Sequence, residues 1–343
     1  MKVRAFITHK KAETFRDCQD RFSVNPDTKS IAVSDGMSQS IFQKIWAEML
    51  VKKYTDFGDW VPNIESIKEL SPEWLRKVEE FIKIEEENGN NPWRAKNSIY
   101  AEHRSAGATI LGIRFIKQEW TCEVLGDSCL IVVESNKVRD IISSSDSSTF
   151  DNYPDYYDSD SNKPGKGKLN DNAKGELSDA NSLLLVSDPF SDFLSRHRDD
   201  EELIKQIFAI KNHQEFETFV EKWRDEGMHN DDSTLVIVEY DGKDEFNLGE
   251  IDDIANLIKV ESKNEKNELN EDDNKSEKNS DESEKAIKDI NTGSEHVNPL
   301  RYKVRKLLCK KFINKKLPKK TSEKEKYIND TADEVMKLFS KEN

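Results

Sequence analysis

Three strand-like runs, Thr109–Ile116, Glu119–Leu125 and Leu130–Glu134, follow one another at turn distance, with Lys-Gln, Gly-Asp-Ser and Ser-Asn as the turn sequences. Parallel neighbours need a crossover of a dozen or more residues, so runs this closely spaced have to pair antiparallel. They predict a meander and argue against a doubly wound parallel sheet.

Other strands cluster at the two ends of the same region. Lys2–Thr8 and Ser30–Val33 are strand-like near the start, Leu183–Val186 is short and wholly apolar, and Thr234–Tyr240 closes the series. Helical spacing runs from Gln39 to Lys53, with Ser38 as the expected N-cap, and from Trp74 to Ile84, with Pro72 expected in a first turn. Two further helices are expected over Glu201–Lys211 and Gln214–Glu226, whereas Ser143–Lys174, rich in Ser, Asp, Asn, Gly and Lys, reads as a long surface loop. Strands grouped apart from paired helices define an α+β class, a layered α/β/β/α sandwich of two antiparallel sheets flanked by helices.

Composition sets the limits of that folded region. Hydrophobic residues make up 35% of the chain and charged residues another 35%, lean for a wholly packed polymer. The deficit is local, since Lys259–His296 is almost entirely Lys, Glu, Asp, Asn and Ser. The expected organisation is a folded domain at 1–245, an acidic linker at 246–297 and a basic helical segment at 298–343. In that last segment Leu300, Val304, Leu307, Leu308 and Phe312 share one helical face among Arg and Lys residues. Such a helix suits folding back onto an acidic domain, or docking to an acidic partner or an anionic membrane surface.

A net charge of −15 excludes nucleic acid as the main partner. Cys18, Cys122, Cys129 and Cys309 form no CxxC pair, and no leader-like or long apolar stretch stands out, so a cytoplasmic monomer with reduced thiols is expected. No GxxxxGK[ST] loop offers a nucleotide site, and the six histidines show no metal-ligand spacing.

Chemistry concentrates in acids at strand ends: Asp35 in VSDG, Asp127 in LGDS, Asp188 in LVSD, and Asp231-Asp232 in NDDSTLVIV. Singly, each has an ordinary reading as a turn residue, and Asp188 also as a helix cap. Jointly, carboxylates on one edge of a core repel by about 4 kcal/mol per pair at 4 Å and an effective dielectric near 20. A hard divalent cation that prefers oxygen ligands removes that penalty.

The order of the pieces carries a resemblance. RDCQDRF (Arg16–Phe22), SDGMSQS (Ser34–Ser40), SAGATILGI (Ser105–Ile113), LGDSCLIVV (Leu125–Val133), LLLVSDPFSDFL (Leu183–Leu194) and NDDSTLVIV (Asn230–Val238) stand in the order of the metal-dependent, type 2C protein phosphatases. The chain resembles a bacterial-like member of that family over roughly residues 1–242. The resemblance implies hydrolysis of phosphoserine and phosphothreonine in proteins, using two Mg²⁺ or Mn²⁺ ions with room for a third. It implies a phosphorylated protein substrate as partner, and a cognate kinase or its target.

Residue by residue, Asp35 resembles the aspartate that bridges two ions, with the Gly36 carbonyl as a further ligand. Asp188 and Asp231 look like the pair that completes the second metal site. Asp127 matches the third, weaker site of bacterial relatives, and Asp20 the acid that orients water. Thr109 matches a threonine near the centre, and Asp232 stands where many members carry asparagine. Arg16 is the candidate phosphate clamp, offset by one position from the family arginine, with Arg4 or Arg21 as substitutes. The sequence departs from the family in three places: Gln19 stands for glutamate, Met37 for histidine and Pro189 for glycine. A catalytically silent module that binds a partner, and an unrelated Mg²⁺-dependent hydrolase, are the alternatives.

Overall fold

Strands buried on both faces dominate the fold, and their sequences are correspondingly apolar at successive positions. The computed structural model describes residues 1–58, 60–144, 155–163 and 165–263, all within the unit Met1–Glu271. In chain order the first strands are β1 (Lys2–Thr8), β2 (Arg21–Asn25), β3 (Ser30–Ser34), β4 (Gly107–Ala108), β5 (Ile110–Ile116), β6 (Glu119–Leu125) and β7 (Cys129–Glu134). There follow β8 (Lys137–Ile142), β9 (Tyr156–Asp158), β10 (Gly165–Lys166), β11 (Asn170–Glu176), β12 (Asn181–Val186), β13 (Ser233–Glu239) and β14 (Asn247–Ile251). The helices are α1 (Gln43–Asp56), α2 (Ile64–Glu87), α3 (Trp93–Tyr100), α4 (Asp188–Arg196), α5 (Glu201–Ala209) and α6 (His213–Asp225). A further helix, α7, is described over 254–263.

One sheet has the order β14-β1-β13-β12-β7-β8, the second β11-β6-β5-β3-β2, and a small third β10-β9-β4. All pairings are antiparallel except β1 with β14. The period of two splits the apolar runs between separate cores. Leu183, Leu185, Val236 and Val238 face Ile31, Val33, Leu111 and Ile113 between the two large sheets. Leu184, Val186, Leu235 and Ile237 face Phe190, Ile204, Phe216 and Trp223 of α4, α5 and α6. On the opposite side Ala32 and Ile110 meet Trp46, Leu50, Ile67 and Val78 of α1 and α2. The expected α/β/β/α sandwich is therefore the observed fold. No described helix is long and apolar enough to cross a membrane, and Cys18, Cys122 and Cys129 are free, buried thiols.

Several local expectations are corrected. The meander is divided: β5 and β6 lie in the second sheet and β7 in the first, so the Gly126-Asp127-Ser128 turn crosses between sheets. The expected surface loop contains β9 and β10 and the start of β11, strands too short, or too polar and at a sheet edge, to carry an apolar alternation. Helix α1 begins at Gln43 behind a left-handed Phe42, not behind Ser38. Helix α2 starts at Ile64, where Asn63 and Ser66 form a capping box, and it holds Pro72 in its interior. Asp188 is the first residue of α4, with Ser187 at the N-cap.

The folded region also runs past residue 245. β14 pairs with β1, and Asp252 accepts a hydrogen bond from the Ile7 amide at 2.9 Å. The start of the charged run is helical in α7. The rest of that run and the basic segment at 298–343 lie outside the described residues.

Candidate metal centre

Strand register gathers the singled-out acids at one end of both large sheets. Val186, the last residue of β12, pairs with Cys129 on one side and Leu235 on the other, so Asp188, Asp127 and Asp231 leave the first sheet at the same end. Thr8 pairs with Ser233, which brings the chain after β1 there too. In the second sheet Arg21 pairs with Ser34, placing Asp20 beside Asp35, and Ile110 pairs with Leu125, which returns Asp127 to the same edge.

Glycine and hydroxyl residues permit this convergence. Gly126 has φ of 114°, and a Cβ there would lie 2.5 Å from Thr109 Cγ2. The crossing turn therefore requires glycine on both counts. The Thr109 amide donates to the Asp35 carbonyl, and the Asp35 amide donates to Thr109 Oγ1, each at 2.9 Å. Thr109 Oγ1 also lies 3.2 Å from Ser128 Oγ, so the threonine braces Asp35 against the crossing turn. A side chain at Gly36 would meet Gln43 Cγ at 2.9 Å and the Gln19 carbonyl at 3.1 Å, which keeps that backbone tight against α1.

Asp20, fully buried, accepts a hydrogen bond from Thr234 Oγ1 at 2.8 Å on Oδ2, a bond that crosses between the sheets. Its Oδ1 is buried with no hydrogen-bond partner. Burial, followed by the nearby Asp232, pushes its carboxyl up to about 7, against hydrogen bonds from Thr234 and Ser187. Burial also holds Asp35 well above the usual carboxylate range, reinforced by Asp20, Asp188, Asp127 and Asp231. Asp188 is raised in the same way by burial, then by Asp127, Asp20 and Asp231. Each acid thus lies within electrostatic reach of the others, on a shared and negatively charged edge.

Asp232, 3% exposed, was legible only as a family position, and its part is to hold the backbone. It accepts from the Gln19 amide at 2.6 Å and the Lys10 amide at 3.0 Å, tying the segment after β1 to the one before β2. Gln19 itself accepts from Ser38 Oγ at 3.0 Å.

The arginines are placed otherwise than the resemblance implies. Arg16 is exposed and donates to Ser262 Oγ of α7 at 3.0 Å. It sits on a loop whose course is set by α7, where the Phe15 amide donates to Glu261. Arg4 is buried, paired with Glu239 at 2.6 Å and bonded to the Phe208 and Ile210 carbonyls, a brace between β1 and the end of α5. Arg21 donates to the Cys18 and Asp20 carbonyls. A cation that meets a carboxylate of the acidic edge is Lys10, whose Nζ lies 3.6 Å from Asp231 Oδ1 and 3.5 Å from Glu13 Oε1, while Arg224 is committed to the His9 and Asp231 carbonyls at 3.0 and 2.8 Å. No sequence signal separated this lysine from the many others. His9 packs edge-on against Phe15, and His229 is exposed beside Asp192.

Among the described residues, no three His, Cys, Asp or Glu side chains form a ready-made cage for one ion. The donor set nevertheless fits a hard divalent cation. It is all oxygen, it includes the unpartnered Asp20 Oδ1, and its members raise one another's affinity for positive charge.

The protein phosphatase 2C family profile matches residues 9–225, more than half of the chain. The chain belongs to this family of metal-dependent protein serine/threonine phosphatases. The match takes in Asp20, Asp35, Asp127 and Asp188 and stops short of Asp231.

Among solved structures, the chain is similar to the S. agalactiae serine/threonine phosphatase, at 13% identity and a TM-score of 0.47 over 70% of this chain and 99% of that one. It is also similar to the phosphatase Stp1 of Staphylococcus aureus, at 14% identity and 0.47 over 70% and 95%. A third similar structure is the catalytic domain of PstP in complex with two manganese ions, at 14% and 0.45 over 69% and 96%. No curated protein sequence matches the chain.

Proposed function

We propose that this chain is an active phosphatase that hydrolyses phosphoserine and phosphothreonine in proteins, with Mg²⁺ or Mn²⁺ as its ions. The observation that carries the reading is the convergence of Asp20, Asp35, Asp127, Asp188 and Asp231 at one end of the two large sheets, where burial and mutual repulsion raise the carboxyls of Asp20, Asp35 and Asp188. Asp35 with the Gly36 carbonyl, and Asp188 with Asp231, would hold two ions, and Asp127 a third. Divalent ions bound there supply Lewis acidity that makes water a nucleophile at neutral pH and offsets phosphoryl charge. Asp20, fixed by Thr234, has one buried oxygen free to accept a proton from water and so to orient it. The reading includes a phosphorylated protein substrate, a cognate kinase, and a monomer working in the cytoplasm.

Hydrolysis of para-nitrophenyl phosphate and of a phosphothreonine peptide, with Mn²⁺ and with chelator, tests it beside Asp35→Asn and Asp188→Asn. Mn²⁺-dependent turnover is expected, reduced by about 100-fold or more in either variant. An inert wild-type chain would sink the enzyme reading, and full activity in both variants would sink the site. The outward placement of Arg16 favours the alternative of a silent, partner-binding module, and the same assay separates the two.

A further inference from the structure

We infer that Lys10, rather than Arg16, Arg4 or Arg21, is the cation that holds the phosphoryl oxygens of the substrate. The inference rests on the phosphatase reading of the acidic edge and names the phosphate-positioning residue of that same site. A phosphomonoester dianion brought to five carboxylates needs a protein cation as well as metal, because its outer oxygens remain charged.

The arginines that the sequence offers are committed elsewhere. Arg4 is buried against Glu239 and two carbonyls, Arg21 donates to the Cys18 and Asp20 carbonyls, and Arg16 points to Ser262. Lys44 donates to the Arg16 carbonyl.

Lys10 differs from each of them. Its ammonium lies beside Asp231, one of the proposed ligands, and keeps 22% of the side chain open to solvent. Its contacts to Asp231 and Glu13, at 3.6 and 3.5 Å, are long for ammonium–carboxylate hydrogen bonds. Its three donors are therefore not tightly held. The backbone beneath it is fixed, since its amide donates to the buried Asp232 at 3.0 Å. A fixed root with a four-carbon stem would leave the ammonium free to reach a phosphoryl oxygen if Asp231 were to hold an ion. The geometry also explains how the chain can keep the acidic edge without an inward-facing arginine.

The test is calorimetric binding of inorganic phosphate to the Mn²⁺-loaded protein, for wild type, Lys10→Met, Lys10→Gln, Lys10→Arg and Arg16→Met, with turnover of para-nitrophenyl phosphate measured in parallel. The two uncharged Lys10 variants should weaken phosphate about tenfold or more and raise KM by a similar factor, with kcat changed less. Lys10→Arg should restore most of the affinity. Lys10 is partly exposed, so both uncharged variants are expected to fold, and melting curves check this.

Unchanged phosphate affinity in both uncharged variants would overturn the inference. So would a loss of affinity in Arg16→Met alone, or a shift confined to the Mn²⁺ concentration needed for saturation. Phosphate binding that depends on Lys10 in a chain without turnover would leave the inference standing and remove the enzyme reading. Turnover with phosphate binding indifferent to Lys10 would do the reverse.

Discussion

Asp20 turns the electrostatics of the site into a stability measurement that needs no substrate. In the metal-free protein its carboxyl is pushed up to about 7 from an ordinary 3.8, by burial first and Asp232 second. Below pH 3.8 it is neutral in both folded and unfolded chains and contributes nothing. Between pH 3.8 and 7 only the unfolded chain gives up the proton, so rising pH favours unfolding, and above pH 7 the full penalty is present. At 1.36 kcal/mol for each unit, the penalty is on the order of 4 kcal/mol. For a domain of this size that corresponds to roughly 8–16 °C in Tm.

Asp20→Asn keeps an acceptor for Thr234 and removes the charge. Melting curves in chelator from pH 4 to 6.5 should show the variant gaining steadily on wild type as pH rises, by on the order of 10 °C at the upper end. Saturating Mn²⁺ should shrink that gap, because bound cations neutralise the same edge. The reasoning fails if the difference between wild type and variant stays constant across this range, or if the variant becomes relatively less stable as pH rises.

Three further outcomes follow from other parts of the structure. His213 is lowered by burial but raised more by its hydrogen bonds to Asp252 and Glu217, to about 9, so its stabilisation is complete below pH 6.5 and lost as pH rises through 9. In His213→Gln, chemical denaturation should show that alkaline loss flattened by roughly 1–2 kcal/mol, a figure reduced for the partial solvent access of the ring. Gly126→Ala should cost about 2–4 kcal/mol in urea unfolding, from its positive φ and the clash with Thr109, and little change would mean the crossing turn is looser than its geometry. Ending the chain after Lys263 should leave small-substrate turnover within about twofold. Ending it after Gly249 removes Asp252 and Glu261 and should lower stability by about 2 kcal/mol or more, readable in the same unfolding assay.

What the sequence shows most clearly is what is buried twice. β1 runs over the expected residues, and β12 and β13 differ from expectation by one or two, since successive side chains face different cores; β6 also matches, because exposed Glu119 and Thr121 alternate with buried Trp120 and Cys122. β2, β11 and β14 lie at sheet edges with polar or half-buried residues, so no alternation announces them. The same logic sorts the site. Asp35, Asp188 and Asp231 adjoin buried strands, and register brings Asp188 and Asp231 to one end of the first sheet, as it brings Asp35 beside Asp20 in the second. Arg16 lies on a loop positioned by Glu261 and Ser262 through bonds that span 246 residues of chain, and no local pattern carries that information.

The crossing turn at Gly126-Asp127-Ser128 joins these observations. Read as a hairpin it would leave Asp127 on the rim of one sheet. As a passage between sheets it fixes the distance between the two edges, through Thr109 bonded to Asp35 on one side and Ser128 on the other. The acids of the first sheet can then face those of the second only if this turn keeps its left-handed glycine. The bond from Thr234 to Asp20 is the second tie across the same gap. A site assembled from two sheets in this way has its charge repulsion opposed by backbone geometry, so loosening either tie should spread the carboxylates before it unfolds the domain. Gly126→Ala and Thr234→Val are therefore expected to weaken Mn²⁺ binding, measured by calorimetry on folded protein, by a larger factor than they lower resistance to urea. If Mn²⁺ affinity held while stability fell, the ties would serve the core alone.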